Sequence, residues 1–563
     1  MSSVNEIVQR ALITYHGLTT TTRAAIAISL AVILYRLLFR QEPPKHKELP
    51  AWAPIELGIV ISLLSGTREG IVYRIYSKLR RYSGSFWGLS SVNQTLIRYE
   101  DVDRLFSSKM AHAVSIEWHG YYLFLRFFGL PDTPELKRKV DTMFKPWHSP
   151  IERVFNNETH ATEALERANI PKMVAEFVTF SQDREQMTRW ERVADTKVII
   201  PENMPGQNAA LEANLSALIV DFGASVTIPP IFGRDLLDRN PQLEEDLWKF
   251  DRVIPFLFIN LPEWLPFKVM KEGLEARKRL LDEVEAFSRR VTQFQRGEEV
   301  DDGADMSDVS DVFLERNKAF ERDGWSYRER AASQLLALLA SNANTQPVLF
   351  WLILYIYSTP GLADSLRKEV APFITLSDCP ENDNNTKIVT AIDNFHLSRE
   401  CQLLKSVIFE TMRLAFGAVS SCRVKKPITL KDGDHVHQLY PGTFLSVPHG
   451  FAQRDPSLYP DPDKFVPDRF LETDPASGKL VARYGKLRPW GAGLSICRGR
   501  VFAEKEMMAI AASLVMVWDI SPAGGGEWKV PEMVGGPGPS KPKEDVRVEI
   551  RRRVFGGASE DGK

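Results

Sequence analysis

The segment Trp490-Gly491-Ala492-Gly493-Leu494-Ser495-Ile496-Cys497-Arg498-Gly499-Arg500 holds the residue types best suited to chemistry. Glycines on both sides of the cysteine leave backbone room for a tight turn and for close approach of a flat cofactor. A helix is predicted to begin near Val501. Its positive end, aimed back at Cys497, favours the thiolate over the thiol. A thiolate beside a glycine-cleared surface is what a haem iron needs as an axial ligand. Taken alone, the same residues also fit a buried structural cysteine ahead of a helix.

Upstream, Glu410-Thr411-Met412-Arg413 places a carboxylate and a guanidinium at i and i+3, on one helix face. Phe465-Val466-Pro467-Asp468-Arg469-Phe470 supplies a second arginine in a proline-rich, non-helical stretch. With the cysteine loop, these motifs resemble the three C-terminal hallmarks of the cytochrome P-450 superfamily: a Glu-x-x-Arg helix, a Pro-x-Arg-Phe-type meander and a Phe-x-x-Gly-to-Cys-x-Gly haem loop. They occur in order and at family-like separations, with Trp490 in place of the Phe. The resemblance covers nearly all of the chain after a Pro-rich connector. It implies haem b held by Cys497, with Trp490, Gly491 and Gly499 shaping the cofactor loop. It further implies that Glu410, Arg413 and Arg469 form a buried ion-pair triad that locks the meander. Arg423 lies about ten residues past Arg413, where related enzymes often place a propionate-binding arginine, and a solvated strand charge beside Lys425 and Lys426 is the alternative.

Gln334–Ser358 reads as a long apolar helix, matching the central helix that crosses the haem in the family. The usual signature there is Ala/Gly-Gly-x-Asp/Glu-Thr-Thr. This chain has Ala340-Ser341-Asn342-Ala343-Asn344-Thr345, so Ala343 replaces the acid and Asn344 the threonine that assists proton delivery. Asn344 and Thr345 are the candidate catalytic residues. Polar side chains lining a small water-filled kink near Pro347 are the structural alternative. This stretch, with Gln346-Pro347 and Phe350-Trp351, resembles the branch of sterol 7α- and 12α-hydroxylases and prostacyclin synthase, as does Lys249–Pro255. That branch contains monooxygenases and one isomerase that uses no external electrons.

The haem loop departs from the family pattern as well. Ser495 occupies a usually basic position, and Arg498 stands where an apolar residue is common. No Trp-x-x-x-Arg occurs in the early helical region. Two aromatic-rich stretches, His112–Phe128 and Val253–Phe267, are candidates to frame a substrate, and core packing explains them equally well.

The elements that must position these residues follow from pattern. Gly84–Ser90 and Gln94–Tyr99 read as short strands, and Asp101–Ser107 as a short helix. Periodicity is then mostly helical to about residue 415. Gly297–Ser310 and Cys379–Thr386 read as surface loops. Beyond Val419, short β-branched runs (Ile428–Leu430, Phe444–Val447) alternate with Pro and Gly turns before a last helix at about Val501–Trp518. The fold class is mainly α with a minor β region (α+β), the cytochrome P-450 fold, preceded by a single N-terminal transmembrane helix. Ala24–Phe39 is an apolar run broken only by Ser29 and Arg36, with Arg40, Lys45 and Lys47 after it. That pattern predicts a retained anchor with the body cytosolic. The expected organisation is an N-terminal tail over 1–23, a membrane anchor over 24–40, a Pro-rich connector over 41–54, a catalytic domain over 55–555 and a C-terminal tail over 556–563.

A net charge of −2 leaves no electrostatic footprint for nucleic acid. Four cysteines without a Cys-x-x-Cys pair argue against zinc knuckles and a disulfide framework. The resemblance implies a monooxygenase that oxidises a lipophilic small molecule, terpenoid, steroid-like or polycyclic. Its partners would be NADPH-cytochrome P-450 reductase and the endoplasmic reticulum membrane. A reductase-independent isomerase or dehydratase and a non-catalytic haem-binding protein are the alternatives.

Overall fold

Capping residues and prolines decide where the helices begin and break. In this computed structural model the described residues are Phe86–Trp87, Asn93–Leu96 and 102–555, apart from 201–208, 259–260, 380–384, 433–434 and 535–537. The expected tail, anchor and connector over 1–54 and the tail over 556–563 lie outside them. The chain divides into two units, 1–50 and 51–563, and every described residue belongs to the second.

Helix α1 (Pro134–Phe155) starts where the Thr133 hydroxyl accepts the Leu136 N–H at 3.1 Å, with Pro134 in the first turn. Helix α2 (Leu215–Phe232) is capped by Asn214. It is the one helix among the described residues apolar and long enough by itself to cross a membrane. Its window is 78% buried within the body, which makes it a core helix. Helices α3 (Leu243–Phe258) and α4 (Lys268–Arg296) follow, and Gly297 in the left-handed region ends α4. A reciprocal Ser326–Glu329 capping box opens α5 (Tyr327–Asn342). Glu329 also pairs with Lys139, tying α5 to α1.

The central helix is not continuous. Helix α6 (Thr345–Ser358) follows α5 after a break at Ala343 and Asn344, both still in the right-handed helical region. Pro347 is the cause, because it has no N–H to return to the Ala343 carbonyl. The long helix expected over Gln334–Ser358 is therefore two helices, and the first begins at Tyr327.

Helix α7 (Gln402–Ala415) carries Glu410 and Arg413, and α8 (Arg500–Val517) follows the cysteine loop. Strands β1 (Phe86–Trp87), β2 (Asn93–Leu96) and β3 (Val114–Ser115) come from the N-terminal part of the described chain. Next come β4 (Lys197–Ile199), β5 (Ala210–Asn214), β6 (Phe416–Gly417), β7 (Val419–Val424) and β8 (Phe444–Pro448). The last are β9 (Trp518–Pro522), β10 (Gly538–Pro539) and β11 (Arg547–Arg552). One sheet has the order β1-β2-β8-β7-β3, with β2 and β8 parallel. A second has the order β9-β11-β5-β4. The strands β4 and β5, and a hairpin of Ile374–Asp378 with Lys387–Ile392, interrupt the stretch read as mostly helical. β5 is held between β4 and β11, and β11 lies more than 300 residues later in sequence, a partner that local periodicity does not register. A small core that includes Leu105, Phe106, Cys422, Leu445 and Ala492 joins the first sheet to the cysteine loop.

Candidate active site

The cysteine loop is held at several points by partners distant in sequence. The Cys497 N–H donates to the Trp490 carbonyl at 2.7 Å, closing the turn on itself. Leu494 N–H donates to the Phe106 carbonyl at 2.7 Å. Gly493, at φ +49°, is what permits that approach: a Cβ there would stand 1.9 Å from the Phe106 oxygen. Gly491, at φ +80°, is likewise crowded by the Ser495 carbonyl. The Ala492 N–H donates to the Ser420 hydroxyl at 3.1 Å, and that hydroxyl lies 2.9 Å from Nε2 of the wholly buried His449. Burial pushes the His449 imidazole down to about 3, so it is neutral. Trp490 donates to the Tyr484 hydroxyl at 2.7 Å, Tyr484 donates to Glu504 at 2.6 Å, and its ring stacks on Phe409 at 3.8 Å. Phe106, Ser420 and His449 escape sequence reasoning because each reaches the loop from a remote segment, and Tyr484, six residues before Trp490, belongs to no motif. The nearest signal was the alternation in β7, which buries Ser420, Cys422 and Val424 and leaves Val419, Ser421 and Arg423 half-buried.

Cys497 is exposed, whereas Cys379, Cys401 and Cys422 are buried. Burial by surrounding protein nevertheless pushes its thiol up, opposed by the Gly499 N–H and by Arg500 and Arg498. Helix α8 does begin just beyond it, with Gly499 as N-cap. Nothing lies within 4 Å of where a Cβ at Gly499 would stand. Arg498 turns to Glu152 on α1 at 2.7 Å, and Ser495 donates to the Ala492 carbonyl. Arg423 sits in register with Phe444 on one side and Ser115 on the other.

Glu410, Arg413 and Arg469 come together. The Glu410 carboxylate accepts from Arg413 Nε at 2.7 Å and Nη2 at 2.8 Å, from Arg469 Nε at 3.0 Å, and from the Val466 N–H at 3.0 Å. The remaining guanidinium donors go to meander carbonyls: Arg413 to Gln453, Pro462 and Lys464, and Arg469 to Pro460, Asp461 and Lys464. The Glu410 and Arg413 side chains are wholly buried. Two cations against one anion are tolerable in such a place because the carbonyls take up the other donors.

The central helix opens onto space at its break. Ala340 and Asn344 are exposed, and Ser341 and Ala343 half-buried, within a helix pair otherwise largely buried. The side-chain oxygen Oδ1 of Asn344 lies 3.0 Å from where a Cβ on Gly538 of β10 would stand. Thr345 turns inward and is buried, so the structure does not bring it to the open face beside Asn344. In the first aromatic stretch Tyr121, Tyr122, Phe124, Phe127 and Phe128 are core residues, with Phe124 packed on Trp147 and Trp325. In the second, Trp264 is 79% exposed and Phe267 48%.

These features fit a haem. A soft sulfur ligand stands before a helix N-terminus, space is open at Gly499, and the central helix presents an open face. No group of three or more His, Cys, Asp or Glu that could hold a metal ion occurs among the described residues.

Comparison with known proteins gives the same direction. The cytochrome P-450 family profile matches residues 171–542. A cytochrome P-450 monooxygenase (poxD) of Penicillium oxalicum is 28% identical over 313 residues, 56% of this chain and 59% of that protein. Another (efuG), of Hormonema carpetanum, is 26% identical, covering 52% of this chain and 55% of that protein. The 25-hydroxycholesterol 7-alpha-hydroxylase of Rattus norvegicus is 27% identical, covering 54% and 72%. The chain thus spans a little over half the length of the first two relatives. With a match over most of its length and a cysteine loop of the required form, the chain belongs to the cytochrome P-450 family, a family of haem-thiolate enzymes.

Proposed function

We propose that the chain is a haem-thiolate monooxygenase that oxidises a lipophilic small molecule with dioxygen and electrons from NADPH. The carrying observation is Cys497, exposed just before α8, together with the exposed Ala340 and Asn344 in the central helix. When bound, haem supplies the oxidising chemistry. Cys497 holds the iron, and the Gly499 N–H with the α8 end stabilises negative charge on its sulfur. Glu410, Arg413 and Arg469 keep the meander in place and so hold the loop against the core. Trp490 and Gly491 shape the turn, and Arg423 is the candidate partner of a haem propionate.

Asn344 offers a donor and an acceptor to a water on the open face, where a hydroxyl would relay a proton more readily. Thr345, buried, supports the helix break behind it. A relative named for 7α-hydroxylation of 25-hydroxycholesterol supports a steroid-like, terpenoid or other polycyclic substrate. The reading includes a membrane anchor at 24–40, a catalytic domain over 55–555 at the cytosolic face of the endoplasmic reticulum, and NADPH-cytochrome P-450 reductase as electron donor. Exposed Trp264 and Phe267 support contact with a membrane.

The absence of an acid–alcohol pair at Ala343 and Asn344 favours one second reading, an isomerase or dehydratase that uses no external electrons. Product formed per NADPH consumed, with reductase present, separates the two. Under the monooxygenase reading, Asn344→Ala slows product formation and diverts reducing equivalents to peroxide. Turnover by the wild type without NADPH would replace the monooxygenase with the isomerase.

A further inference from the structure

Away from the cysteine loop, three polar side chains meet inside the apolar core. Thr227 of α2, Gln346 of α6 and Glu506 of α8 are each fully buried or 1% exposed. The Thr227 hydroxyl lies 2.9 Å from the Gly223 carbonyl, 2.7 Å from Gln346 Nε2 and 2.7 Å from Glu506 Oε1. A hydroxyl has one proton to give and two lone pairs to accept with. The Gly223 carbonyl only accepts and the Gln346 amide nitrogen only donates. With the Thr227 proton on the Gly223 carbonyl, all three contacts are satisfied when Glu506 brings a proton of its own. An ionised Glu506 would also be a buried charge without a counter-ion, since no ion pair to it occurs among the described residues. Burial pushes its carboxyl up to about 8, with Thr227 pulling the other way.

The cluster is built at a cost. Gly223 leaves the room that Gln346 occupies: a Cβ there would stand 1.9 Å from the side-chain oxygen Oε1 of Gln346. That oxygen is buried without a hydrogen-bond partner, an arrangement an apolar side chain would avoid. Position explains the retention. Gln346 lies two residues after Asn344 and directly before Pro347, at the break in the central helix. Glu506 lies nine residues after Cys497, on the helix that opens behind it.

We propose that Glu506 is a neutral carboxylic acid that, through Thr227, braces Gln346 and so positions the Asn344 turn against the helix following Cys497. Glu506, Thr227 and Gln346 are positioning residues and touch no reactant. The assignment rests on the reading of Cys497 as the haem ligand and of the Asn344 face as the reaction face.

The test uses the full-length haem protein, with imidazole as the probe of the open face. A misplacement of about 1 Å can cost about 100-fold, so Gln346→Leu and Glu506→Leu are each expected to change the imidazole dissociation constant at least about fivefold. Glu506→Gln, which keeps a neutral donor, stays within about twofold of wild type by the same geometric reasoning. Thr227→Val stands in for either leucine variant that fails to fold. Independently of haem, the infrared spectrum of wild type at pH 7 shows the carbonyl band of a protonated carboxyl that Glu506→Gln lacks. Absence of that band, or unchanged imidazole affinity in Gln346→Leu, overturns the proposal. The reduced carbon monoxide spectrum is read in every sample: loss of the thiolate signature in wild type would sink the haem-thiolate reading instead, so the two failures are distinguishable.

Discussion

Replacing Glu410 by Ala removes the carboxylate that both Arg413 and Arg469 pair with and leaves two guanidinium groups facing each other in the core. Four groups lose their acceptor at once: Arg413 Nε and Nη2, Arg469 Nε and the Val466 N–H. Breaking a buried pair from one side costs about 3–5 kcal/mol, because the surviving charge is uncompensated. The carbonyls of Gln453, Pro462 and Lys464 still receive Arg413, which keeps the loss within that range. Against a typical total of about 5–15 kcal/mol, the variant sits near the edge of folding. The control is Glu315→Ala, which breaks the Arg153–Glu315 pair at 2.5 Å, where both side chains are about half exposed (55% and 42%). An exposed pair of that kind contributes about 0–1 kcal/mol. Urea unfolding of both variants, followed by far-ultraviolet circular dichroism, gives the comparison. Haem content of the purified proteins shows whether the cysteine loop follows the meander. Equal losses in the two variants would refute the argument that burial, and not pairing as such, sets the size of the effect.

Gly493→Ala drives a methyl group into the Phe106 carbonyl from a backbone already at φ +49°. It is expected to lower stability by about 1–3 kcal/mol and to deplete haem, and a variant with full haem content and unchanged melting would count against the loop geometry. Glu506 makes stability depend on pH with a defined sign. Its folded carboxyl is raised from 4.5 to about 8, so between those values the folded protein keeps a proton that the unfolded chain has released. Stability therefore falls as pH rises from about 4.5 through 8, by an amount on the order of 3 kcal/mol at pH 7. Glu506→Gln lacks this slope and gains on wild type as pH rises. A difference between the two proteins that is constant from pH 5 to 8 would contradict it.

What the sequence made legible was local or fixed in spacing. Gly491, Gly493 and Cys497 announce a tight turn before a helix, and the turn is there with positive φ at both of those glycines. The i, i+3 spacing puts Glu410 and Arg413 on one face, and the meander arginine reaches them. The late strands and the last helix lie close to their expected bounds. Long-range geometry was not legible. β5 pairs with the distant β11, and β4 joins that sheet through β5. The inward turn of Thr345 follows from where Pro347 breaks the ladder, which changes the face each residue presents. The direction of the Cys497 shift reflects how much protein surrounds the sulfur, a quantity no motif contains. Thr227, Gln346 and Glu506 are separated by up to 279 residues, and in sequence each looks like an ordinary polar residue on an apolar helix.

The central claim is that Cys497 is the proximal ligand of a haem iron. Its most direct test is the absorption spectrum of the reduced carbon monoxide complex in wild type and in Cys497→Ser. The account predicts the strongly red-shifted Soret band of thiolate ligation in wild type and its loss in the variant. Retention of that band when Cys497 is serine would contradict it.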